Sequence, residues 1–429
     1  MDAKTRPLGL SLAAALALAS PARAQLLPDV FPPTLPGYGT DPGVTVQSRA
    51  RPDYDPLGTR VGNVIVRPQL DESMGYDSNV LGGGPGAGSL VLRSSPSLLI
   101  SGSGPQTNYG LYLGLDDTRT PEVPGQDRTD WVTVGGATVT AGQNALTLGL
   151  GHLSLHQDRS DLDALPSDQP VAYQVDDLRA KFSMTRDRLT IEPSADIAAW
   201  RFDGTTEMGL PVAQSYRDRN VAEGGLTVRY ELAPRRSFVV SLLGTGQFYT
   251  ATPAGAVSPD SNGLTVLAGI NDAEDGLWHY RLLAGWERRG FVADTYHPHD
   301  AGVAQADLVF NPDGMTTITA TLARTIEDAA QEGVSGFVYT TAKITADYEW
   351  RRNVILSASG GVQRADLLDS GGHQTALRGG LAATWLVNRR VRITGTYDLA
   401  DIRSAGGSTV SLPGSFVRSV TLVTVRLGL

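Results

Sequence analysis

The stretch from Ser415 to Leu429 alternates with period two. One set is Val417, Ser419, Thr421, Val423, Val425, Leu427 and Leu429, increasingly apolar toward the terminus. The other is Phe416, Arg418, Val420, Leu422, Thr424, Arg426 and Gly428, which carries two arginines and a threonine. Period two is the signature of a strand, and two such different sets mean two faces in two different solvents. A strand of that kind must form part of a wall between an apolar medium and water.

The rest of the chain repeats the pattern. Strand-like runs fall near 62–76, 89–102, 106–118, 129–141, 144–157, 171–184, 188–203, 216–232, 236–250, 263–274, 277–291, 301–311, 314–327, 336–350, 353–367, 373–387, 389–403 and 415–429. That predicts about eighteen strands, within a range of 16–18. The breaks alternate in length. Tight ones are Arg186-Asp187, Pro234-Arg235, Asp275-Gly276, Pro312-Asp313-Gly314, Arg351-Arg352 and Asn388-Arg389. Longer ones, 158–170, 204–215, 251–262, 292–300, 328–335 and 404–414, lie between them. An even count with short turns at one end and long loops at the other is the pattern of a bacterial transmembrane barrel. A soluble sandwich or a solenoid has no reason to alternate in this way.

The faces agree. In 277–291, Trp278, Tyr280, Leu282, Ala284 and Trp286 oppose His279, Arg281, Leu283, Gly285, Glu287 and Arg289. In 336–350, Val338, Ala342, Ile344, Tyr348 and Trp350 oppose Lys343, Thr345, Asp347 and Glu349. In 216–232, Leu226, Val228, Tyr230 and Leu232 oppose Glu223, Thr227, Arg229 and Glu231. The apolar face carries Trp278, Tyr280, Tyr348, Trp350, Trp385 and Phe238 near strand ends, as an interfacial aromatic girdle requires. Eighteen strands leave a wide lumen, and the inward set predicts a hydrated wall of both signs. Glycines in 129–141 and 144–157 blur the faces there.

The chain begins with Lys4 and Arg6, an apolar stretch Leu8 to Ala19, and Ala22-Arg23-Ala24. This predicts a signal peptide over 1–24 with cleavage near Ala24. Residues 25–61 hold Pro28, Pro32, Pro33, Pro36, Pro42, Pro52 and Pro56 without periodicity, and read as an extended periplasmic segment. Residues 62–429 are the expected barrel. Beyond residue 24 no apolar run is long enough for a spanning helix. A slightly negative mean hydropathy suits a barrel in which only alternate residues meet lipid. The chain has no cysteine, which excludes disulfides and a lipoprotein anchor. Its net charge of −9 is well mixed, with no basic stripe for nucleic acid.

Chemistry-bearing motifs are sparse. His152 and His156 share a strand face but lie about 13 Å apart, too far for one metal ion. Ser154 between them lacks a Gly-x-Ser-x-Gly elbow. His297-Pro298-His299-Asp300 has no further ligand cluster and reads as an outer-loop tip. The glycine-rich Gly82 to Gly88 is followed by a strand, so it lacks the helix N-terminus of a phosphate cradle. No catalytic, cofactor or metal residue is assigned, and no enzyme activity is expected. The assigned lumen-lining residues are Arg229, Glu231, Arg281, Glu287, Lys343, Asp347, Glu349, Arg390 and Arg392. They serve equally as a solute-selecting wall or as ion pairs that satisfy one another.

Two segments carry resemblances. The C-terminal strand resembles the closing signature of outer-membrane barrels, with Leu429 where an aromatic is commonest; this implies engagement of the barrel-assembly machinery. Arg51-Pro52-Asp53-Tyr54-Asp55-Pro56-Leu57-Gly58-Thr59-Arg60-Val61-Gly62, then Pro68, Leu70 and Tyr76-Asp77-Ser78-Asn79-Val80, resembles a family of outer-membrane β-barrel porins associated with exopolysaccharide or capsule export. The resemblance implies an all-β, up-and-down transmembrane barrel in a Gram-negative outer membrane. It also implies passage of a hydrophilic polymer, with periplasmic polysaccharide-export partners. A general or small-solute diffusion porin is the alternative, favoured if a long loop such as 158–170 or 204–215 folds into the lumen. A plugged structural or adhesive barrel is a second alternative.

Overall fold

The computed structural model describes residues 31–39, 43–84, 86–272, 276–368, 370–406 and 414–429. The expected signal peptide, 1–24, lies outside them. The strands are β1 (Val64–Asp77), β2 (Ser89–Ser103), β3 (Thr107–Arg119), β4 (Arg128–Ala141), β5 (Asn144–His156), β6 (Ala172–Arg186), β7 (Leu189–Phe202), β8 (Arg219–Ala233) and β9 (Arg236–Tyr249). They continue as β10 (Ser261–Asp272), β11 (Trp278–Phe291), β12 (His299–Phe310), β13 (Thr316–Glu327), β14 (Phe337–Arg351), β15 (Val354–Leu367), β16 (His373–Leu386), β17 (Val391–Ala405) and β18 (Phe416–Gly428). Each pairs antiparallel with its sequence neighbours. β18 closes the ring on β1 through a register running from Gln69↔Gly428 to Asp77↔Val420. The expected count of about eighteen is met. A short strand, Thr59–Val61, folds back on β1, and a hairpin of Thr205–Glu207 with Leu210–Val212 sits in the loop after β7. Closure leaves no edge strand, which is what makes a spanning sheet tolerable in lipid. Among the described residues no helix is long and apolar enough to cross a membrane.

The two ends differ as expected. Two-residue turns at 142–143, 187–188 and 234–235 need left-handed backbone, and Gly142 (φ 63°), Asp187 (φ 50°) and Arg235 (φ 62°) supply it. The opposite end carries the loops 157–171, 203–218 and 328–336.

The outside is set by what it exposes. Leu148, Leu150, Ile197, Leu226, Leu242, Ile344, Leu381, Val423 and Leu427 are all exposed. The opposite face of the same sheet carries the buried polar groups Asp177, Glu223, Thr227, Arg281, Glu287 and Asp347. Exposed apolar and enclosed polar is the inverse of a soluble protein, and lipid is the medium that stabilises it. Phe238, Trp278, Tyr348, Trp350 and Trp385 are exposed near the short-turn end. Tyr76, Trp131 and Phe248 are exposed near the long-loop end. On β9 the ten-residue step from Phe238 to Phe248 spans about 26 Å of membrane at about 3.4 Å per residue and about 40° tilt. That matches the apolar band of about 25 Å typical of such barrels.

Candidate functional site

Eighteen strands spaced about 4.8 Å and tilted about 40° give a barrel about 36 Å across, leaving about 25 Å inside the side chains. Two parts of the chain enter that space. They, more than the wall, shape the site.

The first is the loop 157–171. It leaves β5 and returns on β6, yet its tip rests on β14–β18, across the barrel. Leu162 is 2% exposed and packs with Val334, Phe337, Tyr339, Ala365, Leu367, Ala376, Ala400, Ile402 and Phe416. The Asp163 backbone N–H donates to Gln374 Oε1 at 2.6 Å, and Asp163 Oδ2 accepts the Ala330 N–H. Arg378 Nη2 donates to the Ser160 carbonyl at 2.8 Å. Arg418 Nη2 meets Asp77 Oδ2 at 2.7 Å and its Nη1 meets Asp158 Oδ1 at 2.7 Å. Burial alone would raise the Asp158 carboxyl, but Arg418 and Arg128 overcome it and hold the group well below the usual carboxylate range. Asp161 is pushed up to about 7 by burial and by the neighbouring Asp158 charge. Asp163 is pushed up to about 7 by burial, which the Ala330 N–H and Arg217 only partly offset.

Other loops brace this one. Arg217 Nη2 donates to Gln157 Oε1 at 3.1 Å, and Tyr216 Oη donates to the Ala330 carbonyl at 2.6 Å. Asp328 accepts ion pairs from Arg219 at 3.0 Å and Arg289 at 2.8 Å, all three nearly buried. Between the loop and the wall of β1–β3 and β18 lies a cavity of about 150 Å³, in part continuous with solvent. Arg93, Arg128, Arg159 and Arg418 line it together with Asp77 and Asp158.

The second intruder is the proline-rich segment. Its expected place is periplasmic, but residues 31–39 lie within the barrel on the inner face of β3–β5. Tyr38 Oη donates to Asp177 Oδ1 at 2.7 Å, and the Arg179 guanidinium sits 4.5 Å from the Tyr38 ring centre. Residues 43–52 rest on β13–β15 near the short turns. There the Val46 N–H donates to Thr317 Oγ1 at 3.0 Å, and Arg51 Nη2 pairs with Glu349 Oε2 at 2.8 Å. The chain then reaches the closing seam, where the Gly58 N–H donates to the Leu429 carbonyl at 2.9 Å.

These intruders explain where the wall departs from the sequence reading. Part of the inner face of β4–β8, toward the long-loop end, is apolar and not a wet mixture of charges. Val132, Val134, Leu153, Leu155, Val175, Ala198 and Trp200 point inward and are buried with Leu35 and Tyr38 in one apolar cluster. An inward apolar face is tolerable only when something covers it.

Of the nine assigned lining residues, Arg229, Glu231, Arg281, Glu287, Lys343, Asp347, Glu349 and Arg392 share the inner face with the buried polar set. Arg390 instead lies exposed in the turn before β17, its N–H donating to Asn388 Oδ1 at 2.7 Å. Most of the others have partners. Arg229 pairs with Glu192 at 2.8 Å, Glu287 accepts from Thr325 and Ile326, and Asp347 accepts from Gln47 and Ser357. The sequence reading missed Leu162, Asp163, Arg378, Arg418 and Tyr38, since each matters through a partner more than a hundred residues away. His152 and His156 hold different carboxylates, Asp176 at 2.6 Å and Asp130 at 2.7 Å. Among the described residues no three metal-ligating side chains gather.

The fold is similar to that of solved outer-membrane proteins. Pseudomonas aeruginosa OccK1 (OpdK) shares 12% identity and a TM-score of 0.46, over 85% of this chain and 99% of that one. Pseudomonas aeruginosa OccK2 (OpdF), solved in complex with glucuronate, shares 12% and 0.47, over 86% and 99%. Acinetobacter baumannii OccAB3 shares 9% and 0.44, over 86% and 100%. No curated protein matches the chain. A family model, described as "Putative beta-barrel porin 2", matches residues 51–427. With that match over most of its length, and with a closed eighteen-strand wall around an enclosed polar interior, the chain belongs to this family of outer-membrane barrel porins.

Proposed function

We propose that the protein is a passive outer-membrane pore for small hydrophilic solutes. The observation that carries this reading is the anchoring of loop 157–171 on the opposite wall through Leu162, Asp163–Gln374 and Ser160–Arg378. A loop across a lumen about 25 Å wide leaves side passages and no broad conduit. Solutes moving through them meet paired guanidinium and carboxylate groups, which bind weakly at many places and let the solute leave. Export of a polysaccharide, expected from the family resemblance, has less support, because a long chain needs a continuous open bore. Its partners would be lipid outside and small solutes inside. The long-loop end is read as extracellular and the short-turn end as periplasmic.

Liposome swelling with sugars of graded size tests the proposal. Monosaccharides should enter quickly, with rates falling steeply across di- and trisaccharides. Equal rates for mono- and hexasaccharides would overturn it.

A further inference from the structure

The lumen contains a second obstruction, on a different part of the chain from the loop. We infer that residues 31–39 and 43–58 are a built-in plug that restricts the periplasmic half of the pore. This rests on the pore reading above.

The segment has two footholds on opposite walls. The first is shaped for close approach. A Cβ on Gly136 would lie 2.0 Å from the Pro36 carbonyl oxygen, one on Gly149 would lie 2.9 Å from Tyr38 Cε2, and one on Gly110 would lie 2.9 Å from Leu35 Cδ1. Three inward positions on adjacent strands thus have no side chain where the segment lies. Leu35 and Tyr38 are nearly buried there, in the apolar cluster that would otherwise face water. The second foothold, on β13–β15, is polar. Val46 is fully buried and hydrogen-bonded to Thr317, Gln47 Nε2 donates to Asp347 and Ser357, and Arg51 and Glu349 form a buried ion pair.

β4 and β14 are ten strands apart in an eighteen-strand ring, so the footholds face each other. Gly39 and Gly43 are four residues apart, so at most about 14 Å separates them. The two described stretches, 31–39 and 43–58, therefore hold opposite walls and approach each other within the lumen. A strip of packed chain about 10 Å wide across a space about 25 Å wide covers about half of its section. The segment follows the loop in series, so both limit flow.

Two variants test this in planar bilayers. Deleting residues 31–52 removes both footholds. Gly149→Val keeps the whole chain but puts a side chain where Tyr38 rests, the three atoms nearest its Cβ all belonging to the segment. For each barrel that folds, judged by β-rich circular dichroism and heat-modifiable mobility, single-channel conductance should rise about twofold over the full chain. A cysteine pair, Val46→Cys with Thr317→Cys, is specific in a chain without cysteine. Oxidising it should hold the low level, also in the Gly149→Val background, and reductant should release it there. Unchanged conductance in folded Gly149→Val or deletion protein would overturn the plug while leaving the pore. If neither the full chain nor the folded variants conduct, the pore reading itself fails.

Discussion

Truncating Leu162 should unlatch the loop that narrows the pore. Leu162→Ala removes three carbon atoms from a site that is 2% exposed and surrounded by residues of the far wall. At about 0.8 kcal/mol per buried carbon group the transfer loss is about 2.4 kcal/mol. The cavity left behind adds to it, since Phe337, Tyr339 and Ile402 are held in barrel strands and cannot collapse onto the gap; about 3 kcal/mol is a reasonable total. At 1.4 kcal/mol per decade this is a shift of about a hundredfold in the ratio of latched to released loop. The barrel should be unaffected, because Leu162 belongs to no strand. In single-channel recordings the variant should show a second, larger conductance level and more open-channel noise. An unchanged amplitude histogram from correctly folded Leu162→Ala protein would refute the argument that packing at this tip sets the bore.

Acidity should act on the same latch. Asp161 and Asp163 are pushed up to about 7, above their ordinary value of 3.8, so their contribution to the latched state is full below about pH 4 and lost as pH rises through about 7. Asp158 is held low by Arg418 and Arg128 and works in the opposite sense below about pH 4, so conductance should rise between pH 5 and pH 8. Arg51→Ala leaves Glu349 buried without its close partner and should weaken docking of residues 43–52 by about 3 kcal/mol; limited proteolysis should cut that stretch faster, and equal protection would count against the ion pair. Ile344→Arg, mid-strand on the lipid face, should destabilise the barrel by about 2–4 kcal/mol in urea unfolding. Thr345→Arg on the lumen face should cost far less, and equal costs would mean the faces are misassigned.

The strands were legible because two solvents impose period two on the side chains. Ile344 and Thr345, or Trp286 and Glu287, announce their faces directly. The turns were legible because tight breaks such as Arg186-Asp187 and Pro234-Arg235 interrupt the alternation, and Asp187 and Arg235 take left-handed backbone there. The interior was less so. Val132, Val134, Leu153 and Leu155 face inward yet look like lipid-facing residues, since alternation shows that two faces differ without showing what covers each. The glycines that blurred 129–141 and 144–157, Gly136, Gly149 and Gly151 among them, mark where another chain segment comes close. Nothing in the local sequence around Leu162 signals its contact with Ala376 and Ile402, because a loop's destination depends on closure of the ring.

The central claim, a loop laid across the lumen, can be measured as a distance. Spin labels at Leu165→Cys and Thr375→Cys, which leave the latch residues in place, would report it by double electron–electron resonance in detergent-folded protein. The geometry predicts a narrow distribution below about 25 Å, since the neighbouring Asp163 N–H and Gln374 side chain are in hydrogen-bond contact. A loop standing clear above β5 and β6 would instead give a separation near the barrel diameter of about 36 Å, and that result would contradict the account.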